Sequence, residues 1–348
     1  MSISERSSPP VPFSGIKYFL QSREKDGIQR EVALCLLKSV DIGTLCAYLR
    51  AWRKFADWCH SKSLGTSDFS INNVCTFLNE LFNKNYSTSA LNVARSSLSF
   101  FLNHLNIGSI DNISKLFKYF WKMRPSFPRY LVTWNMDTLL SFLQKWHPPS
   151  VLSLEQLTMK TIALTAVFSS NRGQTLESID IEHSHLTDEA IMFPIYTLLK
   201  TSKKNRPVEV VKCLKSDDPS LNVADYIMYY LNTTLKFRLK AVSKGLPKPR
   251  QLFLSAFTGK PMRRPTIAKY LLKVMSLAGI DTACFKAHSA RAVYPSRLYK
   301  KGASPHKILS QGNWKKLSTF KRFYNREPED SPEGQLILEV TNKKRNLG

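Results

Sequence analysis

Apolar side chains recur every three or four residues along several stretches of the first 122 residues, which is the pattern of amphipathic helices. The clearest stretch is 43–62, with apolar positions at Leu45, Leu49, Trp52, Phe55 and Trp58. Its opposite face is basic and carries Arg50, Arg53 and Lys54. Similar patterns predict helices over 71–82, 87–104 and 111–122. We therefore predict a compact four-helix domain over 37–122, preceded by an unpatterned arm over 1–36.

The helical pattern breaks at residues 123–133, where prolines and the basic residues Arg124 and Arg129 predict an interdomain linker. Residues 134–327 mix helical and strand periodicity and predict a second, α+β domain. Its expected helices cover 137–145, 154–168, 223–241, 266–278, 288–300 and 318–324. The expected strands, 190–196 and 207–212, enclose a hairpin loop that carries Lys200, Lys203 and Lys204. The whole chain is thus expected to be mainly helical with a small β-sheet.

Residues 328–348 follow the second domain and are predicted as a C-terminal tail. Among its apolar residues are Leu336, Leu338 and Val340. Three interpretations stay open for them: packing on a neighbouring protomer, a short strand within the chain, or disorder.

The charge of the chain narrows the choice of partner. Lys and Arg number 51 against 26 Asp and Glu, which gives a formal net charge of +25. So large a charge favours a polyanionic partner, DNA or RNA, over a merely basic surface. A membrane fits poorly, because the longest apolar stretch, 161–168, is far shorter than the ~20 residues that a span needs. The N-terminus has no apolar signal core, so we expect the protein to stay in the compartment where it is made.

Several common chemistries lack their sequence motifs. The sequence contains no glycine-rich phosphate loop followed by Lys-Ser/Thr, no nucleophile elbow and no helical pair of metal-binding histidines. Its six cysteines include no Cys-x-x-Cys pair, which predicts reduced core cysteines and no zinc site. We therefore expect no metal, no cofactor and no small-molecule substrate.

The remaining candidates for chemistry are basic and aromatic residues of the second domain. They occur in the order Arg172, Lys200, His288, Arg291, Trp314 and Tyr324. Each one alone has an ordinary structural explanation, such as a capping arginine, a solvated lysine or a core aromatic residue. His288 and Arg291 are three positions apart, so a helix start would place them on one face. Their order and spacing are more informative than any single residue.

This order resembles the catalytic residues of the tyrosine recombinases and integrases. The resemblance covers about residues 40–327 and is most specific from His288 to Tyr324. Enzymes of DIRS-type and related eukaryotic mobile elements look similar at Gly302, Ile308-Leu309, Gly312-Asn313-Trp314, Ser318-Thr319-Phe320 and Phe323-Tyr324. The segment Arg172-Gly173-Gln174-Thr175-Leu176 also looks similar to these enzymes, and it departs from the Arg-x-x-Glu usual in bacterial members. The family implies a SAM-like helical core-binding domain followed by an α+β catalytic domain.

The resemblance implies a role for each candidate. Tyr324 is the nucleophile that attacks the scissile phosphate of double-stranded DNA and forms a 3′-phosphotyrosine link. Arg172 and Arg291 hold the non-bridging oxygens, Trp314 donates a hydrogen bond to the phosphate, and His288 assists proton transfer. Elementary chemistry agrees, because two forked guanidiniums match the charge that gathers on a phosphodiester transition state. The phenol, with a pKa of ~10, needs such help to react near neutral pH.

The leaving 5′-oxygen needs an acid, and the resemblance implies a lysine of the hairpin loop. Lys200 is favoured, but Lys203 and Lys204 compete with it because a hairpin register is easily misplaced. No ATP is needed, since the covalent ester conserves the bond energy, and a metal is redundant where two arginines supply the charge.

The resemblance also has consequences for DNA binding and assembly. The residues expected to contact DNA are Arg50, Arg53, Lys54, Arg124, Arg129, Lys203 and Lys204. The two domains are expected to close as a clamp around the duplex, and family members recombine DNA as tetramers, which implies a homotetramer. The eukaryotic character of the motifs and the basic run Lys343-Lys344-Arg345 favour the nucleus, with the cytoplasm expected for a non-eukaryotic host.

Two other functions remain open at this point. A non-catalytic DNA-binding protein derived from such an enzyme would keep the basic helices but lose catalytic residues, and all six are present here. A type IB topoisomerase-like enzyme shares the chemistry, but the short chain and helical first domain favour a recombinase. Pro295 is expected to kink the helix that carries Arg291. Arg322 and Arg326 either grip the DNA backbone or balance charge.

Overall fold

The computed structural model describes residues 14–66, 68–125, 130–199, 202 and 208–345, with side chains described up to residue 340. The chain forms two compact units, divided between residues 127 and 128. Each unit has its own apolar core. Lys200, Lys203, Lys204 and Arg129, which were predicted as functional residues, lie outside the described part of the chain.

In its described part, the N-terminal unit contains six α-helices: α1 (Gly15–Lys25), α2 (Arg30–Lys38), α3 (Ile42–Ser61), α4 (Ile71–Asn83), α5 (Thr88–Phe101) and α6 (Asp111–Met123). Two short 3₁₀ turns, Asn103–Leu105 and Ile107–Ser109, follow α5. The helices α3 to α6 correspond to the four that apolar periodicity predicts. The hydroxyl of Ser87 caps α5 by accepting from the Ala90 amide at 3.2 Å.

The region expected to be an unpatterned arm contains α1 and most of α2. Tyr18, Phe19 and Leu20 of α1 are buried in the same core as Trp52. The rest of the buried face is formed by Gly15 and the charged Arg23, so the apolar residues alone do not show the spacing of an amphipathic helix. A Cβ added at Gly15 would approach Trp52 Cδ1 to 2.9 Å, so this glycine allows α1 to pack closely on α3. The N-terminal core is therefore larger than four helices.

The C-terminal unit contains, in its described part, nine further α-helices: α7 (Met136–Gln144), α8 (Leu154–Ser169), α9 (Gly173–Glu177), α10 (Val223–Ser243), α11 (Arg264–Leu277), α12 (Ala290–Lys300), α13 (Pro305–Gly312), α14 (Leu317–Phe323) and α15 (Pro332–Arg345). Two short 3₁₀ turns, Pro149–Val151 and Ala287–Ser289, lie between them. Its strands are β1 (Val132–Thr133), β2 (His185–Leu186), β3 (Ala190–Ile195), β4 (Glu209–Leu214) and β5 (Glu327–Pro328). The strands β2, β3 and β4 form an antiparallel sheet, while β1 and β5 pair in parallel. The prediction of a mainly helical chain with little sheet is confirmed.

Helix α8 lies at the centre of the C-terminal core, and most of its residues are buried. Ser153 and Gln156 form a capping box at its start. The hydroxyls of Thr161 and Thr165 donate to the carbonyls four residues earlier at 2.8 and 2.7 Å, so these polar groups are satisfied within the core. Arg172 lies in the short connection that follows this helix.

The expected C-terminal tail forms the helix α15, which was not among the three interpretations of it. Ile337 and Leu338 pack against the core of their own unit. Leu336 and Val340 are exposed to 60% and 46%. The pairing of Glu327 with Val132 joins the end of this unit to its beginning.

The six cysteines are all free, but they do not all lie in the core. Cys59 and Cys213 are buried, and burial raises the pKa of both thiols to about 12. Cys35, Cys46 and Cys284 are exposed, which corrects the expectation of core cysteines. Among the described helices, none is by itself long and apolar enough to cross a membrane; α2 and α3 pass that test only as a pair, bent by 106°.

Candidate active site

Tyr324 follows directly after α14 and rests on a small apolar cluster of Ile308, Trp314 and Phe320. Its backbone is held from two sides. The Tyr324 amide donates to the Phe320 carbonyl at 2.8 Å, and the Ser296 hydroxyl donates to the Tyr324 carbonyl at 2.8 Å. The side chain is half-buried. The position of the phenol is thus set by both α12 and α14.

Arg291 lies in the first turn of α12 and is only 2% exposed. Its guanidinium carbon lies 4.8 Å from the centroid of the Trp314 ring and 5.1 Å from that of Tyr324. Its Nη2 donates to the Gly312 carbonyl, whereas Nε and Nη1 are buried and, among the described residues, have no hydrogen-bond partner. Unpaired buried donors are unfavourable, so these two suit an anion that supplies the missing acceptors.

The environment of Arg291 lowers the pKa of its guanidinium. Burial, followed by repulsion from Arg172, lowers the pKa of the Arg291 guanidinium to about 10. Tyr324 and Glu209 act in the opposite direction. At neutral pH Arg291 is nevertheless charged, and a bound phosphate would relieve the repulsion between the two guanidiniums.

Trp314 completes one side of the site. Its ring lies 4.9 Å from the Tyr324 ring between centroids, and its Nε1 is buried without a hydrogen-bond partner among the described residues. Asn313 precedes it with a φ of 53°, in the left-handed region. A Cβ at Gly312 would lie 1.9 Å from Trp314 Cζ3, so only glycine leaves room for the indole. This turn therefore places a third unpaired donor beside Tyr324.

His288 lies in the 3₁₀ turn Ala287–Ser289 that leads into α12. Its exposed ring meets the edge of the Tyr324 ring, with 6.1 Å between centroids. The neighbouring Ser289 hydroxyl accepts from the buried Trp134 Nε1 at 2.9 Å, which anchors the turn. Pro295 lies within α12, and Arg291 nevertheless faces Tyr324.

Arg172 reaches the site from a different part of the fold. After α8 ends, Ser170 adopts a left-handed φ of 53°, and Arg172 becomes the extended residue that precedes α9. Its side chain is half-buried, and its charge acts on Arg291. The structure thus brings five of the six predicted catalytic residues together, while Lys200 belongs to the loop outside the described residues.

The strands that flank this loop are described. The strand β3 pairs with β4 in antiparallel register, with Ile195 opposite Glu209, as expected for a hairpin. The choice between Lys200, Lys203 and Lys204 remains a prediction.

The basic residues predicted to contact DNA differ in their surroundings. Arg50 and Arg53 are exposed on α3. The exposed Lys54 ammonium lies 2.9 Å from the Tyr86 hydroxyl. Arg124 is turned inward: its guanidinium carbon lies 3.5 Å from the centroid of the Phe82 ring, and it donates to the Phe82 carbonyl near the end of α4. Arg124 therefore has a packing role that the sequence did not indicate.

Glu209 is a residue of the site that sequence reasoning missed. It lies at the start of β4, accepts from the Thr175 hydroxyl at 3.3 Å, and acts electrostatically on Arg291. The departure from Arg-x-x-Glu marked the position of Thr175 in the sequence, but no motif pointed to Glu209. Elsewhere in the described part of the chain, no group of three or more His, Cys, Asp or Glu residues could hold a metal ion.

Comparison with known proteins agrees with this geometry. Residues 136–330 match the Phage integrase family, and residues 33–107 match the Phage integrase, N-terminal SAM-like domain. No curated protein matches the chain.

Several solved structures share the fold. The XerH site-specific recombinase, in a post-cleavage complex with palindromic difH substrate, has a TM-score of 0.57 and 14% identity, covering 90% of this chain and 94% of that chain. The Tn1549 transposon integrase in complex with transposon right end DNA has a TM-score of 0.56 and 14% identity, covering 93% and 98%. A lambda integrase dimer bound to a COC′ core site has a TM-score of 0.51 and 14% identity, covering 90% and 76%.

At these identities the structural likeness concerns the fold. The family match is more specific, because it covers more than half of the chain and includes the whole cluster around Tyr324. Together with the helical domain that precedes it, this match establishes that the chain belongs to the phage integrase family.

Proposed function

We propose that this protein cuts and rejoins double-stranded DNA through a covalent bond between Tyr324 and a 3′-phosphate. The observation that supports this most directly is the set of unpaired donors beside the phenol. Arg291 Nε, Arg291 Nη1 and Trp314 Nε1 are all buried without a partner among the described residues. A phosphodiester has the acceptor oxygens and the charge that these groups lack.

In the proposed reaction, the Tyr324 hydroxyl oxygen attacks the scissile phosphorus. A bond forms between phosphorus and the phenolic oxygen, and the bond from phosphorus to the 5′-oxygen breaks. His288 accepts the phenolic proton, and a hairpin lysine, with Lys200 favoured, donates a proton to the leaving oxygen. The phosphotyrosine ester conserves the energy of the broken bond, so the reverse reaction with a new 5′-hydroxyl rejoins DNA without ATP.

Charge stabilisation falls to the two arginines in this proposal, so neither step requires a metal ion. Arg172 and Arg291 bind the non-bridging oxygens. Burial and, after it, repulsion from Arg172 lower the pKa of Arg291, and a negative charge between the two arginines offsets that repulsion. Trp314 donates the further hydrogen bond.

The resemblance also supports proposals on the assembly, the origin and the cellular location of the protein. The net charge of +25 supports contacts of both units with the DNA backbone. We propose that the protein acts as a homotetramer on two duplexes, as an enzyme of a mobile element, and in the nucleus if its host is a eukaryote. Size measurement of the DNA complex and imaging of a fluorescent fusion in the host cell test the tetramer and the location.

The reaction is tested by covalent trapping. The full chain is incubated in EDTA with a library of nicked duplexes whose sequence is randomised around the nick, and products are separated on a denaturing gel. The nick lets the short fragment downstream of the cleavage diffuse away, so that the covalent intermediate accumulates. We expect a protein–DNA band, and sequencing of the trapped DNA then identifies the preferred site.

The Tyr324→Phe variant is the matched control, because it removes only the nucleophilic oxygen. The band is expected to disappear in this variant while salt-sensitive DNA binding remains. A band that persists in the variant, or no band from the wild-type protein despite DNA binding, would overturn the proposal. The second result would favour the non-catalytic DNA-binding function.

A further inference from the structure

We infer that Glu209 is a positioning residue of the active site, whose carboxylate holds Arg172 and Arg291 in place for the phosphate. The inference rests on the proposed function, since it assigns Glu209 a part in the same reaction. It concerns a residue that acts through the arginines and does not itself touch the reacting atoms.

The first observation is a contact between two elements of the site. Thr175 lies in α9, one turn after Arg172, and is only 2% exposed. Its hydroxyl donates to Glu209 Oε1 at 3.3 Å. Glu209 is the first residue of β4 and is paired with Ile195 of β3. The backbone of the sheet thus fixes where the carboxylate lies, and Thr175 connects it to the helix that Arg172 begins.

The second observation is the balance of charge. Arg172 and Arg291 repel each other, and Arg291 is buried, so the pair is unfavourable without a nearby negative charge. Glu209 acts on Arg291 in the opposite direction to Arg172 and raises its pKa. A carboxylate at this place offsets the repulsion before DNA binds, while Nε and Nη1 of Arg291 have no hydrogen-bond partner among the described residues.

The third observation is the sequence around Arg172. The chain has Arg172-Gly173-Gln174-Thr175, so the position that holds Glu in an Arg-x-x-Glu segment holds a threonine. The threonine hydroxyl contacts a carboxylate that comes from another element. Glu209 thereby supplies, from β4, a carboxylate next to position 175, where the chain itself has a threonine.

The test uses the full chain and the preferred DNA site recovered by trapping. The rate of covalent adduct formation is measured in a single turnover for the wild type, Glu209→Gln and the control Glu189→Gln, an exposed carboxylate of the same sheet region. We expect Glu209→Gln to slow the reaction by the order of 10²-fold, the effect of a small misplacement of groups that act on the phosphate. Glu189→Gln is expected to react at the wild-type rate. All rates are compared at saturating protein, so that a change in DNA affinity does not affect them.

Moving the carboxylate provides the decisive comparison. The double variant Thr175→Glu with Glu209→Gln places the negative charge on α9, and we expect it to recover most of the lost rate. Thr175→Val keeps the shape of the side chain and removes only the hydrogen bond. It is expected to slow the reaction less than Glu209→Gln and to add nothing when combined with it, because both changes act through one contact.

The outcomes separate this inference from the proposed function. No adduct from the wild type overturns the proposed function itself. A wild-type adduct with an unaffected Glu209→Gln variant overturns the inference and leaves the reaction in place. The inference is also overturned if Glu209→Gln is slow, the added Thr175→Glu does not restore its rate, and Thr175→Val slows it further. Thermal unfolding of each variant verifies that the compared proteins are folded.

Discussion

The guanidinium carbon of Arg291 lies 5.1 Å from the centroid of the Tyr324 ring, and two of its nitrogens have no hydrogen-bond partner among the described residues. Buried hydrogen-bond donors normally have an acceptor, so donors without one beside the Tyr324 ring indicate a place where a ligand can bind. An anion that reaches these donors also reaches the phenol. Geometry and charge thus both support the phosphate group that we propose as the ligand.

Replacement of Arg291 by lysine is expected to abolish most of the cleavage activity. Lysine keeps the positive charge but loses the planar fork that can bind two phosphate oxygens at once. We expect adduct formation to slow by about 10²- to 10³-fold, the usual effect of removing a transition-state donor. The measurement is single-turnover trapping. The control is Arg297→Lys on the same helix, whose arginine pairs with Asp137; equal loss in both variants would contradict a specific role.

Replacement of Gly312 by alanine is expected to displace Trp314. The new Cβ would lie 1.9 Å from Trp314 Cζ3, so the indole must move away from Tyr324. We expect a loss of about 1–3 kcal/mol in the free energy of unfolding from overpacking, together with slower adduct formation. Denaturant unfolding and trapping measure the two effects.

The control for this variant is Gly43→Ala. Gly43 lies in α3, and no atom would come within 4 Å of an added Cβ. Alanine in a helix is favoured over glycine by up to about 1 kcal/mol, so this change should not destabilise the protein. A Gly312→Ala protein with unchanged stability and activity would show that the indole position is unimportant.

Replacement of Arg53 by alanine is expected to weaken DNA binding in a salt-dependent way. Each phosphate contact releases condensed counterions, so loss of one contact lowers the slope of log K against log salt by about 0.9. The measurement is DNA affinity at several salt concentrations. Arg30→Ala is the control, since the Arg30 guanidinium pairs with Glu24 at 2.9 Å. An unchanged slope in Arg53→Ala would exclude Arg53 from the DNA interface.

Replacement of Arg124 by alanine is expected to affect stability. Its guanidinium packs on the Phe82 ring and donates to a carbonyl near the end of α4. Loss of these contacts should lower the free energy of unfolding by roughly 1–2 kcal/mol. Chemical denaturation measures this change. A variant of wild-type stability with a reduced salt slope would instead support the DNA contact expected from the sequence.

The buried Lys160 predicts a dependence of stability on pH. Its ammonium donates at 2.7 Å to the Leu143 carbonyl, the Trp146 carbonyl and the Tyr226 hydroxyl. Burial lowers the pKa of Lys160 to about 7, whereas an unfolded lysine has a pKa of ~10.4. Between these values the unfolded chain binds a proton that the folded chain does not. Stability therefore rises with pH in this window, by at most about 1.4 kcal/mol per pH unit from this group.

Comparison with Lys160→Met isolates this effect. The wild-type free energy of unfolding, minus that of the variant, is expected to increase as the pH rises from about 7.5 to about 9.5, because only the wild type carries the group. Denaturant unfolding at several pH values provides the measurement. The exposed Lys145→Met variant serves as control and should stay parallel to the wild type. Parallel curves for Lys160→Met would contradict the lowered pKa.

Much of the architecture was contained in local sequence patterns. The helices α3 to α6 follow from apolar periodicity, because a helix that packs on one face must repeat that face every three to four residues. The order of Arg172, His288, Arg291, Trp314 and Tyr324 likewise pointed to the family before any distance was known. By contrast, α1 escaped prediction because its buried face includes Gly15 and the charged Arg23, so that its apolar residues alone show no helical repeat. The helix α15 escaped because its two core contacts, Ile337 and Leu338, do not form a stripe.

Only the tertiary structure decided how these residues act on one another. Three features depend on elements that are far apart in the chain. They are the contact of Thr175 with Glu209, the inward position of the Arg124 side chain, and the donors of Arg291 and Trp314 that have no partner among the described residues. The sequence by itself determined which residue types were present and which local elements they favour. Burial, and with it the pKa of Arg291 and the need of its nitrogens for an acceptor, is a property of the packed fold, because desolvation arises only when distant segments exclude water together.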